Sequence, residues 1–327
     1  MKLLIDFLVL IIGFVALIKG ADWFVDGSAG LARIFKVPGV IIGLTVVAMG
    51  TSAPELAVSS AAAINGSNEI ALSNVVGSNL FNLLVVLGIC ALIHKVPVDE
   101  IIIKRDFPFS IAITALVLLL TCGATIFTGK LPALAMADEA GYVRRYAGII
   151  LLVLFVCYIV YLIIDAKKHP TEDDEDSKKL PVWQCILLIL IGIALIVSGG
   201  EAVVYSAKSI ARIFGMSETL IGLTVVALGT SLPELVTSIV AARKGETGLA
   251  VGNVVGSNIF NLLLILGVSS TIHPISVNTA SLYDLTILIV VSTIVYIFTI
   301  KGRTINKLEG ALMVLLYAAD MAFAIFR

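Results

Sequence analysis

The stretch from Val40 to Gly88 recurs without a gap from Thr219 to Gly267, and a duplication constrains topology more tightly than any single residue can. IGLTVVAMGTSAPEL pairs with IGLTVVALGTSLPEL, and NVVGSNLFNLL pairs with NVVGSNIFNLL. Direct comparison gives about 30 identities over the 49 aligned positions. The identities include Gly, Thr, Ser, Pro, Glu and Asn, so a shared bias toward aliphatic residues does not account for them. Upstream, Ala32-Arg-Ile-Phe35 matches Ala211-Arg-Ile-Phe214 at the same offset. The chain is a duplicated unit, and each copy sets polar residues in an apolar background.

That background decides the fold class. Hydrophobic residues make up 59% of the 327 and charged residues 14%, and the mean hydropathy is +1.08. Such a balance points to membrane-spanning helices of about 20 residues each. Ten stretches qualify: 3–19, 38–63, 70–92, 107–127, 146–165, 182–198, 217–242, 249–271, 282–300 and 307–326. The run after Lys2 lacks an obvious small-residue cleavage site, so the first span is read as retained. The long polar stretch, near 166–181, divides the chain into a first repeat over 1–165 and a second over 182–327. Five spans per repeat is an odd number, which makes the second copy enter the membrane from the opposite side. The expectation is an all-α polytopic membrane protein of two inverted five-helix repeats, with helices 2 and 7 broken. Alternate loops collect 15 of the 22 Lys and Arg residues on one side, which puts the acidic linker in the cytoplasm and both termini outside. The turn Ala242-Arg-Lys-Gly245, against Ala63-Ile-Asn-Gly66 in the first copy, agrees with inversion.

Composition also excludes partners. A net charge of -1 supplies no basic field for nucleic acid. Cys90, Cys122, Cys157 and Cys185 stand singly in apolar runs, without the spacing of a disulfide or zinc site. His94, His169 and His273 fall at span ends or in the linker, so no histidine lies within a span to act as the base of an intramembrane enzyme.

The chemistry lies in Gly50-Thr-Ser-Ala-Pro-Glu-Leu56 and its copy Gly229-Thr-Ser-Leu-Pro-Glu-Leu235. A carboxylate at bilayer depth costs about 2.5–3.5 kcal/mol on insertion scales. No Lys or Arg lies in either span's interior, so Glu55 and Glu234 call for a bound cation or a proton. Pro54 and Pro233 each lack the N–H that would bond the carbonyl four residues back, and the adjacent glycines loosen the helix further. A break there exposes carbonyls around Ala48, Thr51, Ala227 and Thr230, and the hydroxyls of Thr51, Ser52, Thr230 and Ser231 add neutral oxygen. This all-oxygen inventory suits calcium, and by charge and hardness sodium. In the second motif Ser78 and Asn82, like Ser257 and Asn261, are four apart and share a helix face. That face is expected to complete the cage from spans three and eight. Asn79 and Asn258 point elsewhere by the same geometry and are assigned to packing. The 165–179 acidic run lacks the spacing of an EF-hand and is read as a linker.

These duplicated motifs resemble the two alpha repeats of the calcium/cation antiporter superfamily, in particular the prokaryotic sodium/calcium exchangers. The resemblance spans the ten-helix layout and is sharpest over the two 49-residue copies. It implies alternating access around a midplane site, with spans one and six sliding as the gating pair. It further implies that Glu55 and Glu234 are shared by calcium and sodium and that Thr51 and Thr230 give carbonyls to calcium. Ser52, Ser231, Ala48, Ala227, Ser78 and Ser257 would then serve sodium. Family members often carry Asp where this chain has Asn261, which leaves two carboxylates here, enough for one calcium or two sodium ions. The expected function is sodium/calcium antiport, with transported calcium and sodium in place of any cofactor, lipid as the surroundings and a monomer as the simplest assembly. Proton or potassium coupling at the same residues is the open alternative, and a cation channel is the alternative of another class.

Overall fold

A computed structural model describes the backbone of residues 2–65, 69–129, 135–168, 180–216 and 227–326. Its helices are α1 (Lys2–Ile34), α2 (Gly39–Thr51), α3 (Ala53–Ile64), α4 (Ala71–Ile93), α5 (Ile102–Phe127) and α6 (Arg145–Lys168). After the linker come α7 (Val182–Ile213), α8 (Ala227–Thr230), α9 (Leu232–Arg243), α10 (Thr247–Ile272), α11 (Thr279–Gly302) and α12 (Lys307–Phe326). Among the described residues eight helices are long and apolar enough to cross a membrane, and the bent pair α2–α3 makes a ninth. The expected seventh span, 217–242, lies outside the described residues over 217–226, and most of the acidic linker, 169–179, does so as well.

Helix ends differ from the apolar windows for a physical reason. The first span continues past residue 19 to Ile34, a 33-residue helix of about 50 Å at 1.5 Å per residue. Its polar residues Lys19, Asp22 and Asp26 interrupt the apolar run without interrupting the backbone ladder. The sixth likewise runs on to Ile213. The fourth begins at Ile102 rather than 107, which brings Asp106 into the helix. Asp106 is fully buried there, accepting from Arg105 Nε at 2.8 Å and from the Tyr158 hydroxyl at 3.0 Å.

The chain forms two compact units, and each draws on both halves of the duplication. The first comprises residues 1–54 and 165–254. Here α1 and α7 run antiparallel along their length, with Gly13 against Gly199, Gly20 against Gly192 and Gly27 against Cys185. A Cβ on Gly20 would lie 2.9 Å from the Gly192 carbonyl oxygen, so the seven-residue glycine spacing is what lets the two backbones touch. Near one end of the pair, Ser209 Oγ donates to the buried Asp6 carboxylate at 2.7 Å. At another edge of this unit, Lys244 Nζ lies 2.7 Å from Asp26 and 3.0 Å from Asp22.

The second unit comprises residues 55–164 and 255–327. Gly88 of α4 packs on Gly310 of α12, and the equivalent Gly267 of α10 packs on α6 at Gly148 and Leu152. Each repeat's third span therefore rests on the other repeat's fifth. Two short antiparallel pairs tie the helix ends: β1 (Val96–Pro97) with β4 (Thr304–Ile305), and β2 (Glu139–Val143) with β3 (Ile275–Asn278). Helix α4 widens to a π turn at Asn82–Val86 and α10 does the same at Asn261–Ile265. Single π turns of this kind concentrate at functional sites.

Candidate cation-binding residues

Both proline motifs break their helices at the serine. Ser52 has φ -83° and ψ 6°, and Ser231 has φ -94° and ψ 7°, values outside the helical well that end one segment and start the next. Helices α2 and α3 meet at 49°. The break falls two residues before Pro54 and Pro233, which stand in the first turn of the new segment, where a missing N–H costs nothing. The preceding glycines have a packing role too. A Cβ on Gly50 would lie 2.7 Å from the Phe24 ring of α1, and one on Gly229 would overlap Val204 of α7.

The first unit holds Ala48, Thr51, Ser52, Ala227, Thr230, Ser231 and Glu234 of the expected set. Glu234 has no exposed surface, and Ser52 Oγ donates to its Oε1 at 2.9 Å. Asn253, one turn before Ser257 on α10, binds the base of this group. Its Nδ2 donates to Ser238 Oγ at 2.9 Å and reaches the Glu234 backbone carbonyl at 3.4 Å, while its Oδ1 accepts from Thr51 Oγ1 at 2.9 Å. The Ala48 carbonyl accepts from the Ser52 backbone N–H at 3.0 Å. The Thr230 hydroxyl is buried and meets no hydrogen-bond partner among the described residues.

The second unit holds Glu55, Ser78, Asn82, Ser257 and Asn261. Glu55 also has no exposed surface, and Ser78 Oγ lies 3.5 Å from its Oε1. Asn74 repeats the part of Asn253: its Nδ2 donates to Ser59 Oγ at 2.9 Å and reaches the Glu55 carbonyl at 3.5 Å. Asn82 and Asn261, both fully buried, are not isolated side chains but members of a four-asparagine network. Asn82 Nδ2 donates to Asn258 Oδ1 at 3.2 Å and Asn261 Nδ2 to Asn79 Oδ1 at 2.9 Å. Asn79 and Asn258 each donate to the other's backbone carbonyl at 3.2 Å. Asn79 and Asn258, assigned to packing from the sequence, thus join the two helices, and their amide oxygens also accept from Asn261 and Asn82.

Asn74 and Asn253 escaped sequence reasoning, although a signal was present. Asn74, Ser78 and Asn82 follow one another at intervals of four, as do Asn253, Ser257 and Asn261, so the face traced from the serine extends one turn upstream. Chemically, each unit offers a carboxylate at zero exposure with hydroxyl and amide groups around it. Ionising such a group without a cation costs several kcal/mol, and oxygen donors of this kind match hard cations.

Comparison with known proteins gives a consistent result. The family profile described as sodium/calcium exchanger protein matches residues 5–164 and 185–326. The Alkalimonas amylolytica protein described as "Putative antiporter CaxA" is 36% identical over 326 residues, covering 96% of this chain and 97% of its own. The sodium/calcium exchanger MaX1 of Methanosarcina acetivorans is 32% identical over 342 residues, covering 96% and 97%. Among solved structures, the sodium-calcium exchanger NCX_Mj soaked with 10 mM Na+ and zero Ca2+ superposes with a TM-score of 0.81 at 30% identity, over 99% of this chain and 100% of that one.

Proposed function

Because this chain belongs to the sodium/calcium exchanger family, we propose that this cation antiporter exchanges sodium for calcium across the cell membrane by alternating access. Glu55 and Glu234 are the carboxylate ligands in this reading, and both ions compete for them. Thr51 and Thr230 supply backbone oxygen to calcium, while Ser52, Ser231, Ala48, Ala227, Ser78 and Ser257 supply oxygen to sodium. Asn82 and Asn261 add neutral amide oxygen. The observation that carries the proposal is the complete burial of both glutamates beside helices broken at Ser52 and Ser231. Two empty, ionised carboxylates inside the membrane are costly, so reorientation without a bound cation is disfavoured, and that penalty couples the two fluxes. The two halves, 1–165 and 182–327, act as inverted repeats joined by a cytoplasmic acidic linker, with both termini outside.

The relative described as a sodium/calcium exchanger and the soaked NCX_Mj structures support this choice of ions. Asn82 and Asn261 add no charge, so of the proposed ligands Glu55 and Glu234 alone balance one calcium or two sodium ions.

The test is radioactive calcium uptake into sodium-loaded proteoliposomes diluted into sodium-free buffer, with Glu55→Gln and Glu234→Gln alongside. Uptake that needs the outward sodium gradient and vanishes in both variants is expected. Uptake indifferent to the gradient would reject sodium coupling, and repeating the assay with imposed proton or potassium gradients would then identify the coupling ion.

A further inference from the structure

The four-asparagine network has a fixed polarity. A backbone carbonyl can only accept, so Asn79 must turn its Nδ2 toward the Asn258 carbonyl, and Asn258 must turn its own toward Asn79. Their Oδ1 atoms then face the other way and can only accept. Asn261 and Asn82, which meet those oxygens at 2.9 Å and 3.2 Å, must present Nδ2 inward. The remaining atoms are Asn82 Oδ1 and Asn261 Oδ1, both buried and both without a hydrogen-bond donor among the described residues. A buried acceptor left unmatched costs about 1–3 kcal/mol, and native proteins leave few of them. Here two occur at equivalent positions of the duplication, each held outward by a chain of bonds that starts at a main-chain carbonyl.

We infer that Asn79 and Asn258 are positioning residues that lock Asn82 and Asn261 with oxygen turned toward the transported cation, and that the lock selects an amide over a carboxylate at positions 82 and 261. The inference rests on the exchange reading above. An aspartate at 261 would set a carboxylate oxygen against Asn79 Oδ1 in place of the present N–H donor. Asn79 cannot turn over to relieve it, because its Oδ1 would then face the Asn258 carbonyl. A carboxylate presents oxygen from either edge, so it needs no orienting partner, whereas an amide does. The two positions therefore depend on each other with a definite sign: Asn261→Asp is harmful while Asn79 is present and beneficial once it is gone.

The test uses the full chain in proteoliposomes as wild type, Asn79→Ala, Asn261→Asp and the double variant. Calcium uptake against an outward sodium gradient gives half-saturating concentration and maximal rate separately. Each single variant should raise the half-saturating calcium about tenfold, the size of one hydrogen bond to a charged group, with a smaller change in maximal rate. The double variant should fall below both singles. An unchanged half-saturation in Asn79→Ala, or an equal rise from Asn261→Asp in both backgrounds, overturns the inference. A wild type that takes up calcium without regard to sodium rejects the coupling ion instead, and the same four proteins still report the lock through calcium half-saturation. A wild type that neither transports calcium nor is stabilised by calcium or sodium in a melt removes both. The mirror set, Asn258→Ala with Asn82→Asp, serves if Asn79→Ala does not fold. Failure of both single variants to fold, unrelieved in the doubles, would make the network a folding element and overturn the inference.

Discussion

Ser52 and Glu234 come from opposite halves of the duplication, yet Ser52 Oγ donates to Glu234 Oε1 at 2.9 Å within one compact unit. The serine is the residue at which its helix breaks, so the break delivers a hydroxyl to the carboxylate of the other copy. Hydrogen bonds to charged groups contribute about 1.5–3 kcal/mol. Ser52→Ala should therefore weaken cation binding by roughly tenfold or more, read as a raised half-saturating calcium concentration. Unchanged affinity would mean that the contact does not shape the ligand.

Neutralising a buried carboxylate separates stability from function. Glu55 and Glu234 have no exposed surface, and each ionised group carries a desolvation cost of several kcal/mol that a cation offsets. Glu55→Gln and Glu234→Gln keep shape and accepting oxygen while removing that cost. In cation-free detergent both variants should melt at higher temperature than wild type, and calcium should no longer raise their midpoints. A lower midpoint in both would show that the glutamates stabilise the empty fold.

How much of this was legible in the sequence depends on the range of the interaction involved. The breaks at Ser52 and Ser231 follow from Pro54 and Pro233, local backbone chemistry that a string displays directly. The reach of α1 to Ile34 was hidden because hydropathy sees Asp22 and Asp26 as polar, whereas the helical ladder is indifferent to side chains at the surface. The asparagine network was hidden for another reason. Nothing within 74–82 says that the partner of Asn82 is Asn258, since that pairing is decided by how α4 and α10 cross. The i, i+4, i+8 run from Asn74 was visible, and its meaning as an anchor for the Glu55 helix emerges only with Ser59 at 2.9 Å.

The α1–α7 seam should be intolerant of even one carbon. A Cβ on Gly20 would lie 2.8 Å from Leu195 Cβ and 2.9 Å from both the Gly192 oxygen and the Ile196 nitrogen. Two of these neighbours are backbone, so the helices themselves must separate. Overpacking of this kind costs about 1–3 kcal/mol. Gly20→Ala should lower the melting midpoint, and Gly20→Leu should lower it further. Gly77→Ala, where an added Cβ meets nothing within 4 Å, should not lower it.

Acid sensitivity should be traceable to Glu100, which lies just before α5 and outside its membrane-spanning segment. The Lys104 ammonium donates to its carboxylate, and Arg303 Nη1 lies 3.1 Å away, so these cations hold its pKa below the ordinary 4.5. A carboxyl with a lowered pKa in the folded chain stabilises it above the unfolded value and loses that contribution as pH falls through the folded value. Glu100→Gln should accordingly lower the melting midpoint at neutral pH, by a small amount because the group is exposed and screened by salt. Once the pH has fallen through the folded value both proteins carry a neutral side chain, and their midpoints should converge. A difference that persists there, or that resists high salt at neutral pH, would assign the effect to shape at the β1–β4 corner rather than to charge.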